Sequence, residues 1–352
     1  MILEPQSPKE PSMLEKRTSS DQAIIHCLNA NYDIDVATLT FLPWGADTNA
    51  SVYKAQTPNQ ESYFIKLKQG HRHEIGVEIV ELLHRAGIRQ MIPPVKTIHN
   101  KLTHQVDDCT LIVYPFVDGQ DGFTRSLTDD QWTALGKVLR QVHEVEIPSS
   151  LQNQIRQETY LAKWRDVVRA IYVYIEDKLI TDEVGLKLQK FMKENMPAIR
   201  RLVERAEQLG KKLQDQSSKF VLCHSDIHAG NILLNGDHKM YILDWDEPIL
   251  APKERDLMFI GGGVGNVWNR PHEEKLFYQG YGQAEVDPTI LTYYRHERIV
   301  EDIAIYSREI LLTPGRSKER LEMYGHLIDQ FTPRGVVEIA FETDANYTVR
   351  KK

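Results

Sequence analysis

The order of segments in this chain predicts a two-lobed α+β fold: an N-terminal lobe built on an antiparallel sheet, a short connector, and a larger, mainly helical C-terminal lobe. Three observations carry this expectation. Short apolar runs with strand-like alternation crowd into residues 39–113, apolar residues recur at helical spacing beyond residue 128, and Tyr114-Pro115-Phe116-Val117-Asp118-Gly119 separates the two patterns. Strands first and helices afterwards is the signature of segregated α+β architecture. With 352 residues, 41% of them apolar and 26% charged, the chain has material for two cores and does not read as a disordered protein.

The elements follow in order. Residues 1–20 hold Pro5, Pro8 and Pro11 among serines and mixed charge, the composition of a flexible tail. The N-terminal lobe is expected over residues 21–113. It opens with a helix carrying Ala23, Ile24, Cys27 and Leu28 on one face. Strands are predicted at Leu39–Trp44 and Ala50–Ala55, flanking the turn Gly45-Ala46-Asp47-Thr48-Asn49. Ser62–Lys68 alternates, placing Tyr63, Ile65 and Leu67 on one face and Lys66 on the other. Ile75–Ala86 reads as a helix through Ile75, Ile79, Leu82 and Leu83, ended by Gly87. Two more strands are expected near Val95–Ile98 and Thr110–Val113, then a hinge at 114–120. The second lobe, residues 121–352, begins with a helix capped by Thr128 and Gln131, with Trp132, Leu135, Leu139 and Val142 as its core stripe. Further helices are expected over 160–213 and from Glu254 to about 346. Between them, the apolar runs Lys219–Cys223 and Met240–Leu243 bracket a polar loop, with a hairpin turn at Gly236-Asp237.

Composition excludes several function classes. Forty-three Lys and Arg against 50 Asp and Glu leave a net charge of −7, without the basic footprint of a nucleic-acid binder. Cys27, Cys109 and Cys223 are isolated and form no C-x-x-C pair, so no disulfide framework is expected and a reducing compartment fits. The N-terminus lacks a signal-peptide apolar core. The longest uncharged stretch, Leu257–Asn269, contains four glycines and is too short to span a bilayer. A cytoplasmic protein that engages no membrane is the expectation.

The chemistry concentrates in Cys223-His224-Ser225-Asp226-Ile227-His228-Ala229-Gly230-Asn231. Asp226 followed five positions later by Asn231 has the spacing of a kinase catalytic loop, where the Asp meets the acceptor hydroxyl and the Asn oxygen holds a metal ion. Asp244, at the end of the run Tyr241-Ile242-Leu243, supplies the second hard oxygen ligand that Mg²⁺ requires. Lys66 lies ahead of the loop on a strand, suited to phosphates. Glu74 or Glu78 is placed on the next helix to pair with it, and the turn at 45–49 is placed to cover a nucleotide.

On these residues the chain resembles the aminoglycoside phosphotransferase family, relatives of protein kinases that phosphorylate small-molecule hydroxyls. The family's H-x-D-x-H-x-G-N-I-L core stands at residues 224–233 and its D-W-D at 244–246. The runs from Trp44 to Ala50, Phe64 to Lys68, Asp244 to Asn269 and Tyr293 to Ala304 resemble the branch directed at the aminocyclitol antibiotic spectinomycin. The resemblance implies a bilobal protein-kinase-like fold, a nucleotide-binding N-terminal lobe, and Mg²⁺-dependent transfer of a phosphoryl group from ATP, or GTP, to a hydroxyl of a small aminocyclitol. It implies Asp226 as catalytic, Asn231 and Asp244 as metal ligands, Lys66 as the phosphate-binding lysine and Glu74 as its ion-pair partner. Gly45, Asp47, Thr48 and Asn49 would cover the phosphates, and Tyr114 and Phe116 would offer backbone groups to adenine. Asp246, Trp268, Arg295 and Glu301, with Asp226, are the candidate acceptor-binding residues.

Other readings of the same residues remain open at this level. A kinase of the same fold for choline, homoserine or methylthioribose would carry the same loop. A non-catalytic nucleotide-binding protein would keep Lys66. His224, Asp226 and His228 together suit a metal hydrolase; in the kinase reading His224 braces the loop and His228 lies near the phosphates or the acceptor, and a satisfied structural role is open to both. Gly261-Gly262-Gly263-Val264-Gly265 follows a helical pattern rather than a strand and so is not a dinucleotide fingerprint. It reads as a flexible loop near the acceptor or as a plain connection between helices.

Overall fold

The computed structural model describes residues 21–44, 49–70, 74–236, 239–313 and 317–350. The tail at 1–20 and the expected phosphate-covering residues Gly45, Asp47 and Thr48 lie outside these. In the first lobe, helix α1 (Asp21–Tyr32) precedes strands β1 (Thr38–Leu42), β2 (Ala50–Gln56) and β3 (Ser62–Gln69). Helix α2 (Ile75–Arg85) follows, then β4 (His104–Val106) and β5 (Cys109–Pro115). The five strands form one sheet in the order β1-β2-β3-β5-β4, antiparallel throughout. Its apolar face is set by alternation: Ile65 and Leu67 of β3, Tyr53 and Ala55 of β2, and Leu111 and Val113 of β5 pack on Ile24 and Leu28 of α1. Lys66 and Lys68 therefore leave β3 on the opposite face.

The expected strand at Val95–Ile98 is not formed. Val95 makes one ladder-like bond, its N–H donating to the Val113 carbonyl at 2.7 Å. Pro93 and Pro94 just before it carry no N–H, so no ladder can propagate, and the edge position falls to β4.

The second lobe contains β6 (Gln120–Asp121), α3 (Asp129–Glu144), α4 (Ser149–Gln152), β7 (Arg156–Gln157), α5 (Lys163–Asp177), α6 (Glu183–Glu194) and α7 (Met196–Gln214). It continues with β8 (Val221–Cys223), a single 3₁₀ turn (Ala229–Asn231), β9 (Ile232–Asn235), β10 (Lys239–Ile242), β11 (Ile249–Ala251) and α8 (Glu254–Leu257). Helices α9 (Pro271–Tyr281), α10 (Pro288–Leu312), α11 (Ser317–Asp329) and α12 (Val336–Arg350) complete it. The capping box expected at Thr128 and Gln131 is formed. Strands β9 and β10, on either side of the turn expected at Gly236-Asp237, pair antiparallel, while Asp237 lies outside the described residues. Two three-stranded sheets, β10-β9-β6 and β7-β11-β8, frame the segment 224–231. No helix among the described residues is long and apolar enough to cross a membrane.

Two contacts position the site. Helix α2 buries Ile79, Val80 and Leu83 in the same cluster as Trp132 and Leu135 of α3, so the helix after β3 is held by the second lobe's core. Gly76 in its first turn lies against the chain at residue 245: a Cβ there would stand 1.8 Å from the Trp245 carbonyl oxygen. Helices α3 and α9 cross as closely, because a Cβ at Gly280 would lie 1.8 Å from the Thr133 carbonyl and one at Gly136 would lie 2.1 Å from that of Phe277.

Gly280→Ala should force these two helices apart and lower stability by about 1–3 kcal/mol, the usual cost of overpacking. Urea unfolding measures it, and an unchanged midpoint would contradict the close crossing. A second expectation concerns Glu297 on α10, buried beside Arg165 of α5 with Nε and Oε2 3.1 Å apart. Burial pushes this carboxyl up to about 7, against the attraction of Arg165. A pKa raised on folding contributes stability that is complete below the unfolded value and is lost as pH climbs through the folded one. Glu297→Gln should therefore gain thermal stability relative to the parent between pH 5 and pH 8. A variant-minus-parent difference that stays flat over that range would refute the assignment.

Candidate active site

The segment 224–231 leaves β8 and turns immediately, with Ser225 in the left-handed region at φ 75°. Asp256 of α8 holds that turn. One of its oxygens accepts from the Ser225 N–H at 2.7 Å, and the other from the His224 N–H at 2.9 Å. His143 Nε2 of α3 lies 3.1 Å from the second oxygen, while its Nδ1 faces the Tyr281 hydroxyl at 2.7 Å. Because a carboxylate only accepts, the His143 proton belongs on Nε2 and the tyrosine donates to Nδ1.

His224 closes the loop on itself. Its Nδ1 accepts from the Asp226 N–H at 3.3 Å, and its Nε2 donates to the Leu243 carbonyl at 2.7 Å, while its ring meets Trp245 edge-on at 4.7 Å. His228 Nδ1 accepts from the Gly230 N–H at 3.0 Å, and Nε2 lies 3.4 Å from Asp226 Oδ2. Both rings brace the loop, as one of the sequence readings had it. With both nitrogens of His224 spent on the backbone, the histidine-rich metal-hydrolase reading loses a ligand.

Asp226 projects from this braced loop with its side chain 31% exposed. Burial works to raise its pKa, but Arg298 and then His228 outweigh it and hold the carboxyl well below the usual range. Arg298 Nη1 of α10 lies 2.5 Å from Asp226 Oδ1. Asn231 donates its Nδ2 to the Asp226 carbonyl at 2.8 Å, which leaves the amide oxygen as its ligand atom. Leu243 N–H donates to the Asn231 carbonyl at 2.8 Å, bringing the next residue, Asp244, to the same place. Asp244 is half-exposed and in the left-handed region at φ 59°. Two hard oxygen donors beside an accessible opening suit Mg²⁺ better than a softer ion.

Lys66 completes the group. Its Nζ lies 2.7 Å from Asp246 Oδ2 and 3.6 Å from Asp244 Oδ1. Burial would lower its pKa, yet the two carboxylates raise it above that of an ordinary lysine, so it is a permanent cation.

Several expected roles are corrected by this geometry. Glu74 pairs with Lys68, at 2.8 Å, rather than with Lys66. The two lysines share a face of β3, and Lys68 is the one nearer the start of α2, where Glu74 sits. Glu78, the alternative partner, is half-buried in that helix's first turn. Asp246, expected among the acceptor-binding residues, binds Lys66 and reaches Lys68 at 3.5 Å, so it stands on the lysine side of the site. Glu301, expected beside it, lies 3.8 Å from Arg255. Trp268 is 3% exposed and packs edge-on against Trp132, in the core rather than at an acceptor. Arg295 spends its donors on the Met258 and Ile260 carbonyls and on Thr343 Oγ1. Gly262 makes room for that clasp, since a Cβ there would stand 2.8 Å from Arg295 Nε. The glycine run is thus braced by Arg295, and Gly262, Gly263 and Gly265 line a cavity with Arg295 and Arg298. At the hinge, Tyr114 is half-buried on β5, but the Phe116 N–H donates to the Ser62 carbonyl at 2.9 Å and is not an available adenine donor. Asn49 precedes β2, its carbonyl accepting from the Gln69 N–H at 2.9 Å.

Two contributors escaped the sequence reading, Asp256 and Arg298. The first stands in the run that carries the family resemblance, and the second recurs with Arg295 and Asp302 at helical spacing, a signal legible only beside Asp226. His143, Cys223 and Asp256 come within 4.8 Å of one another, the one such cluster among the described residues. Cys223 Sγ, however, is turned to the Ala251 and Pro252 carbonyls, and the other two are committed as above.

Residues 38–289 match the phosphotransferase enzyme family. A crystal structure of spectinomycin phosphotransferase in complex with ADP and spectinomycin is 51% identical in sequence, with a TM-score of 0.87 over 92% of this chain and 98% of its own. Its AMP-bound complex gives 49% identity and a TM-score of 0.83 over 91% and 98%. Choline kinase from Streptococcus pneumoniae, at 14% identity and a TM-score of 0.51 over 88% and 98%, shares the fold alone. No match was found among curated protein sequences. The matched span and the half-identical relatives agree with the two-lobed, kinase-like architecture: this chain is a phosphotransferase and belongs to the phosphotransferase enzyme family.

Proposed function

We propose that this enzyme transfers the γ-phosphoryl group of ATP to a hydroxyl of spectinomycin, and so confers resistance to that antibiotic. The observation that carries the reading is the 51% identity, over 92% of the chain, to a spectinomycin phosphotransferase crystallised with ADP and spectinomycin. The grouping of Lys66, Asp226, Asn231 and Asp244 supports it from the side of chemistry.

The surroundings of each residue support a role. The nucleotide lies between the lobes, near Tyr114 and the start of β2. Lys66, a cation held between Asp246 and Asp244, is placed to exchange those carboxylates for phosphate oxygens. Asn231 and Asp244 would hold Mg²⁺, which when bound supplies neutralising charge to the triphosphate. Asp226 accepts a hydrogen bond from the acceptor hydroxyl and aims its oxygen at the γ-phosphorus. A new P–O bond forms as the bond from that phosphorus to the β–γ bridging oxygen breaks, and ADP departs. The hydroxyl proton passes to Asp226 late in the step, because a carboxyl held below its usual range is a weak base toward an alcohol.

Purified protein with ATP, Mg²⁺ and spectinomycin should give an antibiotic heavier by one phosphoryl group in the mass spectrum. Asp226→Ala should abolish the gain. Kanamycin, streptomycin and choline run in parallel: modification of one of these instead would keep the kinase and reject the named acceptor. Transfer to none would leave nucleotide binding alone. Exchanging ATP for GTP in the same assay identifies the donor. Lys66→Ala should lower kcat/KM for the nucleotide by about 10²–10³, the scale of losing one preorganised charge partner. A nucleotide kcat/KM equal to the parent's would remove Lys66 from the phosphate site.

A further inference from the structure

We infer that Arg298 is a positioning residue for the transfer step: anchored on Asp302, its guanidinium sets the plane of the Asp226 carboxylate toward the acceptor. The inference rests on the kinase reading above and adds a residue to it.

The geometry is that of a fixed bracket. Arg298 is largely buried on α10, with 13% of its side chain exposed. One arm, Nη1, meets Asp226 Oδ1 at 2.5 Å, and a second, Nε, meets Asp302 Oδ1 at 3.0 Å. Asp302 is one turn further along the same helix, and its other oxygen accepts from Gln330 Nε2 at 3.2 Å. The guanidinium carbon lies 5.4 Å from the centre of the Phe259 ring, which restricts a third direction. A planar guanidinium relates its donors at fixed angles, so clamping Nε on Asp302 fixes where Nη1 points. Asp226 is therefore referenced to a 25-residue helix as well as to its own loop.

The charge balance requires a cation at this point. Asp226 has to stay ionised beside a triphosphate, and Asp302 and Glu301 add two more carboxylates on the next turn of α10. Arg298 is the cation in contact with both Asp226 and Asp302, whereas Glu301 faces Arg255. The same guanidinium lines a cavity shared with Phe259, Gly262, Arg295, Asp302 and Val336. It thus borders that cavity while it holds the Asp226 carboxylate.

The test compares Asp302→Asn, Arg298→Lys and Arg298→Gln in the phosphoryl-transfer assay, with thermal unfolding and ADP titration alongside. Asp302→Asn keeps the shape but replaces one of the two accepting oxygens, and the charge, so it loosens the anchor. It should cut kcat about 10- to 100-fold, the scale of a small misplacement of a reacting group. Its melting temperature, its ADP affinity and its KM for ATP should stay near the parent's. Arg298→Lys should recover part of what Arg298→Gln loses. Asp302→Asn combined with Arg298→Lys should fall well short of the product of the two single effects, because both act through one bracket. A parent-like kcat in Asp302→Asn and Arg298→Lys would overturn the inference. So would losses of kcat that merely track losses of melting temperature and ADP affinity. If the parent enzyme itself modifies no acceptor, the kinase reading fails first and this inference with it. If the parent is active and the variants are normal, only the role of Arg298 falls.

Discussion

The site depends on one buried carboxylate. Asp256 is fully enclosed, and an isolated charge in such a place costs several kcal/mol. Three donors offset that cost: the backbone N–H groups of His224 and Ser225 and the His143 ring. Hydrogen bonds to a charged acceptor are the stronger kind, and two of these grip consecutive peptide groups. The chain cannot leave β8 in another direction without stranding both the carboxylate and those N–H groups. Ser225 is held at a positive φ by the same bonds, and Asp226 follows directly. Helices α3 and α9 serve this arrangement through His143 and Tyr281, so their close crossing at Gly136 and Gly280 lies on the same line of support.

From that loop, charge is distributed into two compartments. On one side Lys66 and Lys68 face Asp244, Asp246 and Glu74, two cations among three carboxylates. In the proposed reaction a triphosphate entering there would displace carboxylates from Lys66 rather than order a free lysine, so the cation would be aimed before the nucleotide arrives. On the other side Arg298 stands between Asp226 and Asp302. Asp226 is thereby tied to the second lobe, while Lys66 belongs to the sheet of the first. Among the described charged residues, Asp244 and Asp246 reach Lys66 across the lobes, and α2 rests on the chain between them through Gly76.

What the sequence made legible was short-range. Asp226, Asn231 and Asp244 lie within one stretch whose spacing encodes their grouping, and Lys66 follows from alternation on a single strand. The capping box at Thr128 and the hairpin at Gly236 are equally local. Errors arose where partner choice depended on tertiary distance. Pairing Glu74 with Lys66 neglected that Lys68 shares its face and stands closer to α2. Trp268 turns inward onto Trp132, and Arg295 spends donors on the Met258 and Ile260 carbonyls. Val95–Ile98 had strand composition, but the prolines before it removed the donors a ladder needs. Asp256 and Arg298 lie 30 and 72 residues from Asp226 along the chain, and no periodicity links them to it.

Helix α10 draws these strands together. Arg295, Arg298 and Asp302 follow one another at intervals of three and four residues, which places them on one face of the helix. The first clasps the carbonyls of Met258 and Ile260, and the second clasps the carboxylate of Asp226. The chain after α8 and the catalytic loop are therefore both measured from the same rigid rod, one turn apart. Asp256, on α8 itself, already ties that helix to the catalytic loop by a second route. Two independent braces over-determine the position of Asp226 relative to the cavity beside Phe259. In a reaction that depends on aim more than on bond-making by the protein, such redundancy is the form the contribution of the fold takes.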